Sequence, residues 1–151
     1  MAGLWAVVLL GAGGLLTEVG PWYKALRKPA LQPPAWMFAP AWTTILALAA
    51  WAGVLAWQGA GSDAARWTIL AAYAVNFVLH ALWTPLFFKA KRPDWSLVEV
   101  PLLLLSVVSL MAVVGRDSAL APWLLAPYLV WVAFAVYLNW MIVRLNGPFR
   151  A

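Results

Sequence analysis

Cysteine is absent from this chain, histidine occurs once, and charged residues make up only 10% of it. The first absence excludes disulfides, thiolate nucleophiles and cysteine-ligated metals. A lone imidazole, His80, cannot build a structural metal site, and no intramembrane carboxylate pair assists it. A hydrogen bond is its expected use, with an axial contact to a haem iron as the alternative. No nucleophile, base pair or metal set is recognisable, so the sequence offers no catalytic residue, no metal site and no required cofactor. The formal charge is +5. With so few charges in total, that excess reads as orientation in a membrane and not as a nucleic-acid face.

What fills the chain instead is apolar surface. Hydrophobic residues make up 66% of the 151, and the mean hydropathy is +0.85, whereas a soluble domain is about half apolar and about a quarter charged. Five stretches approach the ~20 residues needed to cross a hydrocarbon core. They lie at 3–19, 39–58, 66–88, 95–115 and 121–143, and helices are the spanning form that suits them. The expected fold is therefore an all-α integral membrane protein, a bundle of five transmembrane helices in a single domain over 1–151. The first stretch has no basic residue before it and no small-residue cleavage site, which argues against a signal peptide.

Turn chemistry separates the stretches, with Ser62 or Asp63 available as an N-cap and Asn146-Gly147-Pro148 as a helix stop. If the N-terminus faces outward, Lys24, Arg27, Lys28, Lys89, Lys91, Arg92, Arg144 and Arg150 share the cytoplasmic side, against Arg66 and Arg116 outside. That asymmetry places the C-terminus and the first loop in the cytoplasm, with a bacterial inner membrane as the default location.

The loop at 20–38 and the start of the next stretch are unusual. Between Trp22 and Trp42 lie Pro29, Pro33, Pro34 and Pro40 together with Tyr23, Trp36 and Phe38. The prolines oppose a continuous helix, and the rings need a surface to lie on, as in a lid or an interfacial anchor. Within the spans, Tyr73, Asn76, His80, Trp83 and Phe87 share one helical face, and Tyr128, Trp131, Ala135, Leu138 and Asn139 share another. Such faces either bond neighbouring helices or receive a ligand. Pro85 and Pro101 are expected to kink their helices. The span at 95–115 is otherwise featureless, with Ser106 and Ser109 as small-residue points, and reads as facing lipid or a second copy. Glu18 and Glu99 lie near span ends, where they can reach the interface or pair with basic residues. Trp5, Trp57, Trp67, Trp95 and Trp123 read as an aromatic belt.

These residues resemble the TspO/MBR family, the translocator and tryptophan-rich sensory proteins once called peripheral benzodiazepine receptors. The likeness rests on Trp22-Tyr23, Lys28-Pro29, Pro33-Pro34, Trp42-Thr43, Leu82-Trp83-Thr84-Pro85 with Phe87-Phe88, Pro127-Tyr128, Trp131, Leu138-Asn139 and Leu145-Asn146, and covers almost the whole chain. The resemblance implies a homodimeric five-helix bundle in membrane lipid, with a pocket beneath the first loop. Its implied ligands are porphyrins such as protoporphyrin IX and haem, or other apolar small molecules, and its implied role is tetrapyrrole regulation or stress response. The ligand-binding residues it implies are Tyr23, Pro33, Trp42, His80, Trp83, Trp131 and Ala135, and the third-span face adds Asn76. This chain departs from the family at Leu31, where a Trp is common, and at Asn76 and His80, where Gln and Asn are frequent. The aliphatic–Tyr–base pattern proposed for cholesterol is also imperfect at Tyr137 and Arg144, so no specific cholesterol role is expected. Two other functions compete with a receptor or carrier: light-dependent porphyrin breakdown, and a regulator sensed by a partner protein.

Overall fold

The computed structural model describes residues 2–17 and 20–149. Helices are α1 (Ala2–Leu16), a short α2 (Pro21–Ala25), α3 (Ala35–Gly59), α4 (Asp63–Thr84), α5 (Pro93–Val114) and α6 (Ala121–Asn146), and a π-helical turn, Pro85–Lys89, prolongs α4. No strand occurs among the described residues. Among the described residues four helices are long and apolar enough to cross a membrane: α3, α4 with its π turn, α5 and α6. The α1 helix has 15 residues, fewer than a full crossing takes. Glu18 and Val19, at the end of the first expected span, lie outside the described residues.

Each of the four bears most of its apolar surface outward. Only 22% to 33% of the residues in each apolar window are buried inside the protein, so large side chains such as Val98, Leu105 and Val130 face away from the bundle. A soluble protein could not leave so much of this surface in water. The chain is an integral membrane protein.

Within the bundle, α5 lies between α4 and α6, α3 flanks α6, and α1 packs on α3 and α4. Lipid gives apolar helices little reason to associate, so close approach and hydrogen bonds do the work. Ala49, Ala52 and Ala56 are fully buried along α3. Between them Gly53 lets the Tyr73 ring lie on its backbone, where a Cβ would sit 2.9 Å from the ring. The Tyr73 hydroxyl donates to the Ala49 carbonyl at 2.6 Å, and Trp5 meets the same ring edge-on at 5.3 Å. At the far end of α3, Gly59 lies under the Asp117 carbonyl, with no room for a Cβ.

Several expectations change here. The loop is shorter than 20–38, because α3 begins at Ala35. Pro34 is extended and caps it; beyond that, Pro40 removes one helical bond, to the Trp36 carbonyl, and α3 continues through it. The α5 helix likewise runs on through Pro101, while Pro85 opens the π turn. Trp5 is no belt residue: only 8% of it is exposed, because Tyr73 covers it. The α5 helix faces outward along Val98, Leu102 and Leu105, as expected, but it is not featureless, because it also carries an inward stripe. Ser96, Val100, Leu103, Ser106, Val107 and Leu110 are buried along it, since it is the central helix.

The two ends of the bundle differ in charge. Tyr23 packs on Phe87 and Phe88, and the backbone of Arg27 bonds to Asn146. Lys24, Arg27, Lys28, Lys89, Lys91, Arg92 and Arg144 therefore gather at one end. Arg66 and Arg116 belong to the other, where α3 meets the α5–α6 turn. Ser62 caps α4 there, its hydroxyl oxygen accepting from the Ala65 amide at 3.2 Å.

Candidate functional site

Trp42 of α3 is the hub of an interior aromatic group. Its ring centroid lies 4.7 Å from His80, 6.0 Å from Tyr128 and 6.2 Å from Trp131. Phe38 closes on Trp131 at 5.8 Å. Three helices thus bring Trp42, His80 and Trp131 together around edge-on contacts. Edge-on rings present flat faces sideways, the arrangement a planar guest can slide against.

Behind this group runs a chain of hydrogen bonds. His80 Nδ1 is 2.7 Å from the Tyr128 hydroxyl, and that hydroxyl donates to Asn76 Oδ1 at 3.1 Å. Asn76 Nδ2 donates to Ser106 Oγ at 2.9 Å, and Ser106 donates to the Leu103 carbonyl at 2.7 Å. Asn76 and Tyr128 are both fully enclosed. Asn76 therefore positions Tyr128 and reaches a guest only through it and His80.

A second polar network lies nearer the basic end. Trp83 Nε1 donates to Asn139 Oδ1 at 3.2 Å, which also accepts from Ser96 Oγ at 2.8 Å. Asn139 Nδ2 donates to the Pro93 carbonyl at 2.7 Å. The Trp83 ring stacks on Phe87 at 5.2 Å. Trp83 is thus engaged in helix packing, and its ring contacts among the described residues are Phe87 and Phe88.

The loop closes over this second region. Tyr23 leans on Phe88 at 5.4 Å, its hydroxyl accepts from Gln32 Nε2 at 3.3 Å, and burial raises its pKa above the ordinary tyrosine value. Lys28 Nζ donates to the Tyr23 carbonyl at 2.7 Å and sits 4.5 Å from the Tyr23 ring centre. Asn146 clasps the loop, accepting from the Arg27 amide at 2.7 Å and donating to its carbonyl at 2.8 Å. Pro33 and Ala135 are half-buried.

A groove of about 740 Å³ opens between α3 and α6, lined almost wholly by apolar surface from Trp36, Pro40, Ala41, Ile45, Trp123 and Val130 among others. Of the eight expected ligand residues, Trp131 lines it. That residue is the wall between the groove and the Trp42 group. Glu99 corrects an expectation: it neither reaches the interface nor finds a basic partner. It is 7% exposed, and neither carboxylate oxygen has a hydrogen-bond partner among the described residues. The buried stripe of α5 that carries Ser96 and Leu103 carries Glu99 inward as well. Glu18 lies outside the described residues.

Phe38, Tyr128 and Ser106 are the residues that sequence reasoning did not place in the site. Tyr128 had a signal, since it precedes Trp131 on one helical face. Ser106 had none, because nothing in a single sequence pairs it with Asn76.

Comparison with known proteins agrees with this architecture. The sequence pattern of the TspO/MBR family matches residues 1–145. The chain is 35% identical over 132 residues to the translocator protein of Homo sapiens, covering 85% of this chain and 77% of that protein. It is 37% identical over 133 residues to the tryptophan-rich sensory protein of Cereibacter sphaeroides, covering 88% and 82%. With the tryptophan-rich protein TspO of Archaeoglobus fulgidus it shares 34% over 150 residues, covering 97% and 96%. The chain belongs to the TspO/MBR family.

Proposed function

We propose that this protein is a membrane receptor or carrier for porphyrins, with protoporphyrin IX and haem as its ligands. The observation that carries this reading is the Phe38–Trp42–His80–Trp131 group beside the apolar groove. A porphyrin is a broad, flat, largely apolar ring, and indole faces match it better than aliphatic walls do. Its two propionates favour the basic end, where Lys24 and Arg27 are exposed. Lys28 is less available, being tied to the Tyr23 carbonyl.

In this reading α1 completes a fifth crossing, and the basic end with the loop and C-terminus faces the cytoplasm across a bacterial inner membrane. The protein works as a homodimer, and binding links to tetrapyrrole regulation or stress response. Titration of protoporphyrin IX into protein-loaded nanodiscs, followed by the porphyrin's own absorbance band, tests the proposal. Saturable binding at one site per chain is expected. Uptake that grows linearly and matches empty nanodiscs would overturn it.

A further inference from the structure

The hydrogen-bond chain behind the aromatic group has a direction that can be counted. Its four contacts join Leu103, Ser106, Asn76, Tyr128 and His80. The Leu103 carbonyl can only accept, so the proton between it and Ser106, 2.7 Å apart, must come from the serine hydroxyl. Ser106 then has no proton left and accepts from Asn76 Nδ2. That fixes the amide, and Asn76 Oδ1 must accept from Tyr128. Tyr128 in turn has spent its only proton, so His80 Nδ1 must bring one of its own. If the Asn76 amide were flipped, four contacts would hold three protons. The serine and carbonyl oxygens would then face each other bare at 2.7 Å.

We infer that this relay holds neutral His80 as the Nδ1–H tautomer, making Nε2 an electron-pair donor that selects flat apolar ligands presenting an N–H to the interior site. Nε2 has no hydrogen-bond partner among the described residues, and it is not one of the atoms sealed from solvent. It sits on a ring flanked by Trp42 at 4.7 Å. A guest stacked against Trp42 meets a lone pair there, and a guest offering only acceptors meets repulsion. The second network differs on this point, since Asn139 has both its oxygen and its nitrogen engaged by protein. The inference rests on the porphyrin-site reading for where the ligand lies, and a free-base porphyrin carries pyrrole N–H groups of the required kind. The tautomer is a property of the protein alone, so its failure is distinguishable from a failure to bind porphyrin.

The chain has one histidine, so nitrogen-15 labelling of histidine gives a single imidazole to observe. In nanodiscs at neutral pH and without ligand, the proton is expected on Nδ1, with Nε2 showing the shift of a bare nitrogen. Tyr128→Phe, which removes the acceptor, is expected to restore a tautomer mixture. Carbazole and 9-methylcarbazole, planar probes differing in one N–H, are then titrated. Carbazole is expected to move the Nε2 signal and to bind roughly threefold to tenfold more tightly, with the preference lost in Tyr128→Phe. Should that variant fail to fold, Ser106→Ala, which breaks the relay at its far end, serves instead. A proton on Nε2, a doubly protonated ring, or equal response to both probes, including none, would overturn the inference.

Discussion

Two polar networks lie between the same three helices and end in different ways. The one nearer the basic end closes on itself: Trp83, Ser96 and the Pro93 carbonyl all converge on Asn139. The other, about two turns along α4, starts from an equally closed anchor at Ser106 but finishes at His80, among rings that belong to three helices. Both contain an asparagine, a serine and an aromatic donor or acceptor. What separates them is whether the last polar atom is spent inside the protein. A buried network with no free end holds helices together. One with a free end beside flat apolar surface is built to meet something else.

Replacement of matched residues in the two regions should break this symmetry. The largest effect is expected from changing Trp42 and Trp131 together to Leu. Losing two ring surfaces should weaken porphyrin binding by the folded protein about tenfold or more, measured by equilibrium titration in nanodiscs. Asn139→Leu should do the reverse. It strands the Trp83 donor, while Ser96 keeps the Pro93 carbonyl at 3.0 Å, lowering stability by roughly 2 kcal/mol, and the remaining folded protein binds porphyrin as before. Unfolding in detergent followed by circular dichroism checks the first half of that statement, and the same titration the second.

Smaller effects sharpen the contrast. Glu99→Leu removes a carboxyl whose oxygens have no partner among the described residues and should raise stability by roughly 1 kcal/mol; a clear loss of stability would show that the carboxyl has a stabilising role. Asn146→Ala opens the clasp on Arg27. Faster proteolysis within the loop is expected, with a global stability change below about 1 kcal/mol.

Much of this was legible in the residues. Long apolar runs announce membrane helices because lipid leaves the backbone no other partner than itself. Helical spacing places Asn76 and His80 on one face, and Tyr128 and Trp131 on another. The motif order around Lys28-Pro29, Trp83-Thr84-Pro85 and Leu138-Asn139 points to the family. What periodicity could not supply was which polar group meets which. Ser106 looked like a small surface point and is an anchor, because α5 happens to run between α4 and α6. Glu99 looked like an interfacial carboxylate and is enclosed, since its helix face turns inward. Trp5 looked like a belt residue and is covered by Tyr73, whose ring only Gly53 could admit. Residues 35–38 looked like loop and belong to α3, which starts at Ala35 and runs on through Pro40, because one lost helical bond is tolerable where neighbouring turns are intact. Each of these is a tertiary fact that one sequence does not encode locally.

The most direct test of the account compares the quenching of tryptophan fluorescence by protoporphyrin IX in three proteins: the wild type, Trp131→Phe and Trp83→Phe. Saturable quenching is expected, weakened severalfold in Trp131→Phe and left at wild-type affinity in Trp83→Phe. Equal weakening by both, or a loss confined to Trp83→Phe, would place the ligand in the closed network and contradict it.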